Sequence, residues 1–337
     1  EKPVEKVVKE TVVVEKVVEK PVEKVVKETV VVEKVGKHLI GTLEGPELVT
    51  DPSKFPTKFS EAPMLAALVK EGKLPPVEER IPVHDDMYVI EPVHEIGKYK
   101  DGSIWRRGFT GPADGENGNR ILSSDKILFW DYTGSEMRPC VAKSWEVVDD
   151  GRTTIIHLRK GHKWSDGAPF TADDFMWWYE HVWPNRDMLP VPSAEMKIKG
   201  TWGTMEKIDD VTVAFKFEEP YYLFEAILAG STQMGGGQAV RQGRNNEMGA
   251  YAPAHYLEQF HPDFVSVDTL TKMAKAAGYE DWMTFYHSRS DYQANPEVPM
   301  LAPWTTKVPI HTPTWVLERN PFYYGVDPEG NQLPYID

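Results

Sequence analysis

The sequence predicts a mixed α/β fold, and three observations carry that expectation. Apolar and polar residues alternate on both sides of an Asp-Asp-Gly turn in "KSWEVVDDGRTTIIHLRKG" (143–161), the pattern of a β-hairpin. A Thr-x-x-Asp capping pattern, Thr171 and Asp174, then opens the helical run "ADDFMWWYEHVW". A further alternating stretch, "DDVTVAFKFEE" (209–219), leads into "PYYLFEAILAG" (220–230), which starts with Pro and ends on Gly as a helix does.

Composition bounds what such a fold can do. The 337 residues are 41% hydrophobic, enough for a buried core and for two domains. The first 36 residues carry eight Glu and eight Lys, so the net charge of −14 resides in the rest of the chain. An acidic balance of that size opposes binding to phosphate backbones or anionic lipid, and no nucleic-acid partner is expected. The lone Cys140 cannot form an internal disulfide, and with no His or Lys beside it in sequence it reads as a packed side chain. No run reaches the ~18 apolar residues of a membrane span. The chain opens at Glu1, inside a repeat, so a signal peptide or lipid-attachment cysteine would lie upstream.

Residues 1–18, "EKPVEKVVKETVVVEKVV", recur at 19–36 with Val18 replaced by Gly36. A period of 18 is five helical turns, which places Val4, Val7, Val8, Val14 and Val18 on one face and Glu1, Lys2, Glu5, Lys9 and Lys16 opposite. Valine is a weak helix former and Pro21 interrupts the array, so the expectation is a spacer or stalk, kinked-helical or extended, with a coiled coil as the alternative. Residues 37–97 form a Pro-rich lead with one short helix in "SEAPMLAALVKEGK", Ser60 its candidate cap and Gly72 its stop. From 98 onward strands and turns take over: "GSIWRRGFTG" reads as a strand entering the irregular loop "GPADGENGN".

Motifs of familiar chemistry are missing. There is no Gly-x-Ser-x-Gly elbow, no Walker loop and no His-Glu-x-x-His, and "GGGQAV" (235–240) lacks the Gly-Lys-Ser/Thr ending of a phosphate cradle. His84 and His94 with Glu95, or His255 and His261 with Asp263, match no closed zinc set, so neither metal nor cofactor is expected. Asp173 and Asp174 sit where helix caps are wanted. What stands out is the aromatic content: 11 Trp, 14 Tyr and 13 Phe, residues that serve cores and binding clefts alike. Trp145, Trp164, Trp177, Trp178 and Trp202 are mostly expected in the core, while the loop aromatics Phe109 and Trp130 are cleft candidates.

Residues 139–180, "PCVAKSWEVVDDGRTTIIHLRKGHKWSDGAPFTADDFMWWYE", closely resemble the pattern P-x-L-A-x-S-W, Asp-Gly hairpin, L-R-x-G-x-K-W/F-x-D-G-x-P-F-T-A-x-D of the solute-binding proteins of peptide-type ABC importers, bacterial extracellular family 5. "YAPAHYLEQFHP" (251–262) and "TWVLERNPFYYGVDPEGNQLPYID" (314–337) resemble the family's P-x-H-Y-L and R-N-P-x-Y-W segments, with Tyr324 in place of the usual Trp. The likeness spans about residues 98–337; His162 stands where Val is common, and Cys140-Val141 departs from the usual Leu. The resemblance implies a type II periplasmic-binding-protein fold, here mainly the first lobe (98–337, incomplete) with its extra subdomain, the second lobe missing. On that reading the chain is a fragment of a protein of about 550 to 650 residues.

It further implies a non-enzymatic, extracytoplasmic role, periplasmic or cell-surface with a lipid anchor as one form of attachment: capture of an oligopeptide or oligosaccharide by a monomer and its delivery to an ABC permease. Phe109, Asp114, Trp130 and Gln233 are the expected first-lobe ligand contacts, each with packing or loop solvation as the alternative. Two other readings compete. One is a carbohydrate-active enzyme using Asp166 and Glu180, which would need both carboxyls beside one bond. The other is a structural or adhesive surface protein working through the N-terminal repeat.

Overall fold

The computed structural model of the protein describes residues 9–14, 28–33, 45–92, 103–114, 125–230, 232–236 and 249–337. The chain divides into two units, Glu1–Glu44 and Gly45–Asp337. In the first, strands β1 (Lys9–Val14) and β2 (Glu28–Glu33) pair antiparallel, Lys9 opposite Glu33 and Val14 opposite Glu28. The helical reading of the repeat does not hold for these residues. Each copy carries Thr-Val-Val-Val, a run of β-branched side chains that favours a pleated backbone.

The second unit is built on several small sheets. The strands in chain order are β3 (Glu47–Val49), β4 (Tyr88–Glu91), β5 (Leu128–Trp130), β6 (Met137–Pro139), β7 (Ala142–Val148), β8 (Thr153–Leu158), β9 (Lys197–Ile198), β10 (Thr201–Trp202), β11 (Thr204–Asp209), β12 (Thr212–Lys216), β13 (Trp304–Val308), β14 (Val316–Arg319) and β15 (Gly325–Val326). An antiparallel sheet in the order β11-β12-β8-β7 forms the centre. Its hairpin β7–β8 turns through Asp149, Asp150 and Gly151, all three at positive φ, so the Asp-Asp-Gly run supplies the left-handed backbone the turn requires.

The helix Ala172–Trp177 lies against β11 and β12 and continues as a π turn over Trp178–Val182. Its capping box is complete: Thr171 accepts from the Asp173 N–H, and Asp174 accepts from the Thr171 N–H at 2.9 Å. Trp164, Phe170, Phe175, Trp177 and Trp178 are buried in one core with Ile156, Leu158, Val213 and Phe215. Trp145 is half-buried, its indole N–H donating to Glu225 at 2.7 Å, while Trp202 is exposed with the Lys197 ammonium over its ring.

The lead belongs to the same unit. β4 pairs antiparallel with β3 and parallel with β15, and a second core of Phe55, Val77, Ile81, Met87, Val89 and Val326 fills the space beneath. Gly330 has a positive φ and passes so close to the Lys58 carbonyl that a Cβ would collide with it. Arg80, fully buried at the end of the short helix Val77–Arg80, pairs with Glu61 and donates to the Gln332 side chain at 2.7 Å.

Several local expectations shift. Residues 103–110 carry no strand, since their backbone is not part of any sheet. The lead helix runs Pro63–Lys70 with Ala62 at its N-cap; Ser60 bonds instead to Asn331, far along the chain. The helix after Pro220 begins only at Phe224. The loop 115–124, residues 237–240 of "GGGQAV", and His94 with Glu95 lie outside the described residues.

Candidate functional site

The stretch "LRKGHKWSDGAPFTADDF" is a framework built around buried polar groups. Arg159, fully buried, donates to the carbonyls of Met87 at 2.8 Å, Cys140 at 3.0 Å, Asp86 at 3.0 Å and Ala142 at 3.2 Å, and lies 4.8 Å over the Tyr88 ring. One guanidinium thus ties the lead to β7, a use that needs its planar fork of donors. Burial pushes the Cys140 thiol up to about 11, which leaves it protonated and unreactive. His162 is buried against Tyr324 and Phe170, and neither ring nitrogen has a hydrogen-bond partner among the described residues. Burial, reinforced by Arg159, lowers it to about 3, so it is a neutral packing residue. Burial raises Asp174 to about 7 against the pull of N–H donors from Thr171, Ala254 and Trp164.

An open cleft of about 490 Å³ lies elsewhere in the same unit. Its walls are the irregular segment Ile104–Phe109, Trp304 on β13, Thr314–Leu317 entering β14, and Ile336–Asp337. The aromatic groups are held from behind. The Trp315 indole N–H donates to Thr306 Oγ1 at 3.3 Å, and that of Trp304 to the Ile336 carbonyl at 3.2 Å. Phe109 leans on Trp315 with ring centroids 6.2 Å apart, and Arg107 covers one side of the Trp105 ring at 5.4 Å. The Asp337 N–H donates to the Ser103 carbonyl, and Arg319 donates to the Asp337 carboxylate at 2.8 Å. Trp105 is 56% exposed and Ile104 64%, so both present apolar surface to solvent. The cleft offers flat faces and two guanidinium groups, Arg106 and Arg107, to a ligand with apolar faces and polar edges.

Of the residues expected from sequence, Phe109 lines this cleft. Asp114 is half-buried five residues on, accepting from the Thr110 N–H at 3.3 Å. Trp130 ends β5 and packs against the main core; Gln233 is half-buried with its backbone N–H 3.3 Å from Glu195. Neither lines the cleft. Trp105, Trp304 and Trp315 join Phe109 there, three indoles that no sequence motif marks. Asp166 is engaged by His255, from which it accepts at 2.8 Å, a bond that raises the histidine, and Glu180 is exposed. His255 is therefore engaged apart from His261 and Asp263, which stand instead with His181.

Comparison with known proteins places this architecture. The family profile "Bacterial extracellular solute-binding proteins, family 5 Middle" matches residues 136–337. The periplasmic alpha-galactoside-binding protein of Rhizobium meliloti (strain 1021) is 30% identical over 288 residues, 80% of this chain and 37% of that protein. Among solved structures, an oligopeptide-binding protein OppA superposes with a TM-score of 0.72 at 40% identity, over 83% of this chain and 41% of its own. The periplasmic binding protein MelB of Agrobacterium fabrum C58, in complex with stachyose, superposes at 0.58 and 25% identity over 86% and 41%. The chain thus spans about two fifths of the length of these relatives and has the type II periplasmic-binding-protein fold, in part. With the hairpin, the capped helix and the match over 136–337 in agreement, the chain belongs to the bacterial extracellular solute-binding proteins, family 5.

Proposed function

We propose that residues 45–337 form one wall of an extracytoplasmic solute clamp serving an ABC permease, and that the solute is an oligosaccharide lying across Trp105, Phe109 and Trp315. The observation that carries this reading is the cleft itself: aromatic side chains open to solvent, of which Trp304 and Trp315 are held by hydrogen bonds from their indole N–H groups. Such faces stack on the apolar sides of pyranose rings, while Arg106, Arg107 and Asp337 can bond hydroxyls at the ring edges. The names of two relatives, an alpha-galactoside-binding protein and a stachyose complex, support a sugar; the OppA likeness supports an oligopeptide. Asp114, on the same segment, is proposed as a further polar contact, and Trp130 at the end of β5 and Gln233 as contacts outside this cleft. Monomeric action and tethering through the N-terminal repeat complete the proposal.

The test is a calorimetric titration of the protein with stachyose and, separately, with tetra-alanine. Binding of stachyose that weakens by about tenfold in Trp315→Ala supports the reading. Binding of tetra-alanine alone, or stachyose binding indifferent to Trp315, refutes the oligosaccharide assignment.

A further inference from the structure

We infer that His181, His261 and Asp263 form a divalent-metal site of the zinc type, separate from the solute cleft. His181 lies on the π turn Trp178–Val182, and His261 and Asp263 follow the helical turn Glu258–Phe260. One ligand atom from each residue lies within 4.8 Å of the other two. His181 Nδ1 is 2.7 Å from Asp263 Oδ2, and His261 Nδ1 is 3.8 Å from the same oxygen. Ligand atoms on one tetrahedral zinc, with bonds of about 2.0–2.2 Å, sit about 3.3 Å apart, between those two separations. Small side-chain adjustments would accommodate the ion.

The tautomer of His261 is compatible with it. The Asp263 N–H donates to His261 Nδ1 at 3.2 Å, so that nitrogen carries no proton, and a bound metal would take over the lone pair that now accepts this hydrogen bond. The Asp263 carboxylate, an acceptor only, stands 3.8 Å from that nitrogen, so a cation would exchange one N–H bond for bonds to both groups. His261 is fully buried, with the Trp177 ring 5.6 Å away and the Tyr286 ring 6.0 Å away, so its orientation is held before any metal arrives. Asp263 is 54% exposed and His181 26%, which leaves an entry path and room for water in the remaining coordination position. Two imidazoles and one carboxylate suit zinc, nickel or copper over calcium or magnesium, and zinc imposes the least geometric demand. Bound there, the ion would clip the helical segment 172–182 to the segment after helix Ala254–Leu257.

The competing reading is a partly exposed His181–Asp263 ion pair with no ligand. Chelator-stripped, tag-free protein titrated with zinc chloride by calorimetry separates the two, with unfolding temperature measured in parallel. The expected result is one zinc per chain with a dissociation constant of about micromolar or tighter, and a rise in unfolding temperature reversed by EDTA. His181→Ala, and independently the near-isosteric Asp263→Asn, should weaken uptake by about tenfold or more, while His255→Ala, altering a histidine paired with Asp166, should not. No saturable uptake at about 100 μM zinc, or uptake unchanged in both His181→Ala and Asp263→Asn, would overturn the assignment.

Discussion

Two regions of this molecule use the same aromatic residues for opposite purposes. In the framework of residues 139–182 Trp164 is fully buried and Trp178 nearly so, their backbone held by a hairpin, a capped helix and the Arg159 hub. In the cleft Trp105 is more than half exposed on a segment with no ladder hydrogen bonds, and Trp315 stands just before β14. The difference lies in what surrounds the ring. Where strands and helices satisfy the backbone, an aromatic side chain can be enclosed on all sides. Where the chain runs irregularly over the surface, the same side chain is left with one open face.

The contrast breaks most sharply at Arg159. Arg159→Met removes the donors of four carbonyls, three of which it meets in fully buried bonds, and should destabilise the protein by about 3–5 kcal/mol in urea unfolding. A loss below about 1 kcal/mol would show that the framework does not depend on this group.

Next in size is a pH effect. His162 is neutral in the fold down to about pH 3, whereas unfolded histidine protonates near 6.5, so the unfolded state takes up the proton first. Its contribution is intact above about pH 6.5 and is lost as pH falls toward 3, by at most about 1.4 kcal/mol per pH unit. Asp174, raised to about 7, acts in the opposite sense: what it contributes is present at low pH and is lost as pH rises from about 4 through 7. Comparison of the native protein with His162→Val isolates the histidine, and the variant should be the more stable of the two at pH 5. Equal slopes between pH 6.5 and 4 would contradict the account.

Trp315→Ala should weaken solute binding by about tenfold, roughly 1.4 kcal/mol, with little change in unfolding, because the ring is half-exposed. The converse, a large stability loss with binding retained, would make Trp315 a framework residue. Smallest is Thr171→Ala, which removes the cap of helix Ala172–Trp177 and should cost about 1 kcal/mol without affecting binding.

What could be read from the sequence was local. The Asp-Asp-Gly turn and the Thr171–Asp174 box each need only a few neighbouring residues, and both are present. The Val-Glu-Lys repeat was ambiguous because 18 is a multiple of both 3.6 and 2, so periodicity could not separate helix from strand. Ser60 was assigned a cap because its partner, Asn331, lies 271 residues away; the parallel pairing of β4 with β15 is equally non-local. The same limit explains the cleft. Phe109 is visible within its loop, but its closeness to Trp315 depends on the segment 103–109 lying beside a much later part of the chain. The association of His181 with Asp263, 82 residues apart, was likewise invisible to spacing rules.

The proposal that the aromatic cleft receives the solute is tested most directly by the indole N–H resonances of the 11 tryptophans, followed by NMR as stachyose is added. The account predicts shifts concentrated at Trp105, Trp304 and Trp315, with the buried Trp164 and Trp178 unmoved. Saturable shifts confined to other indoles, or none at all at millimolar sugar, would contradict it.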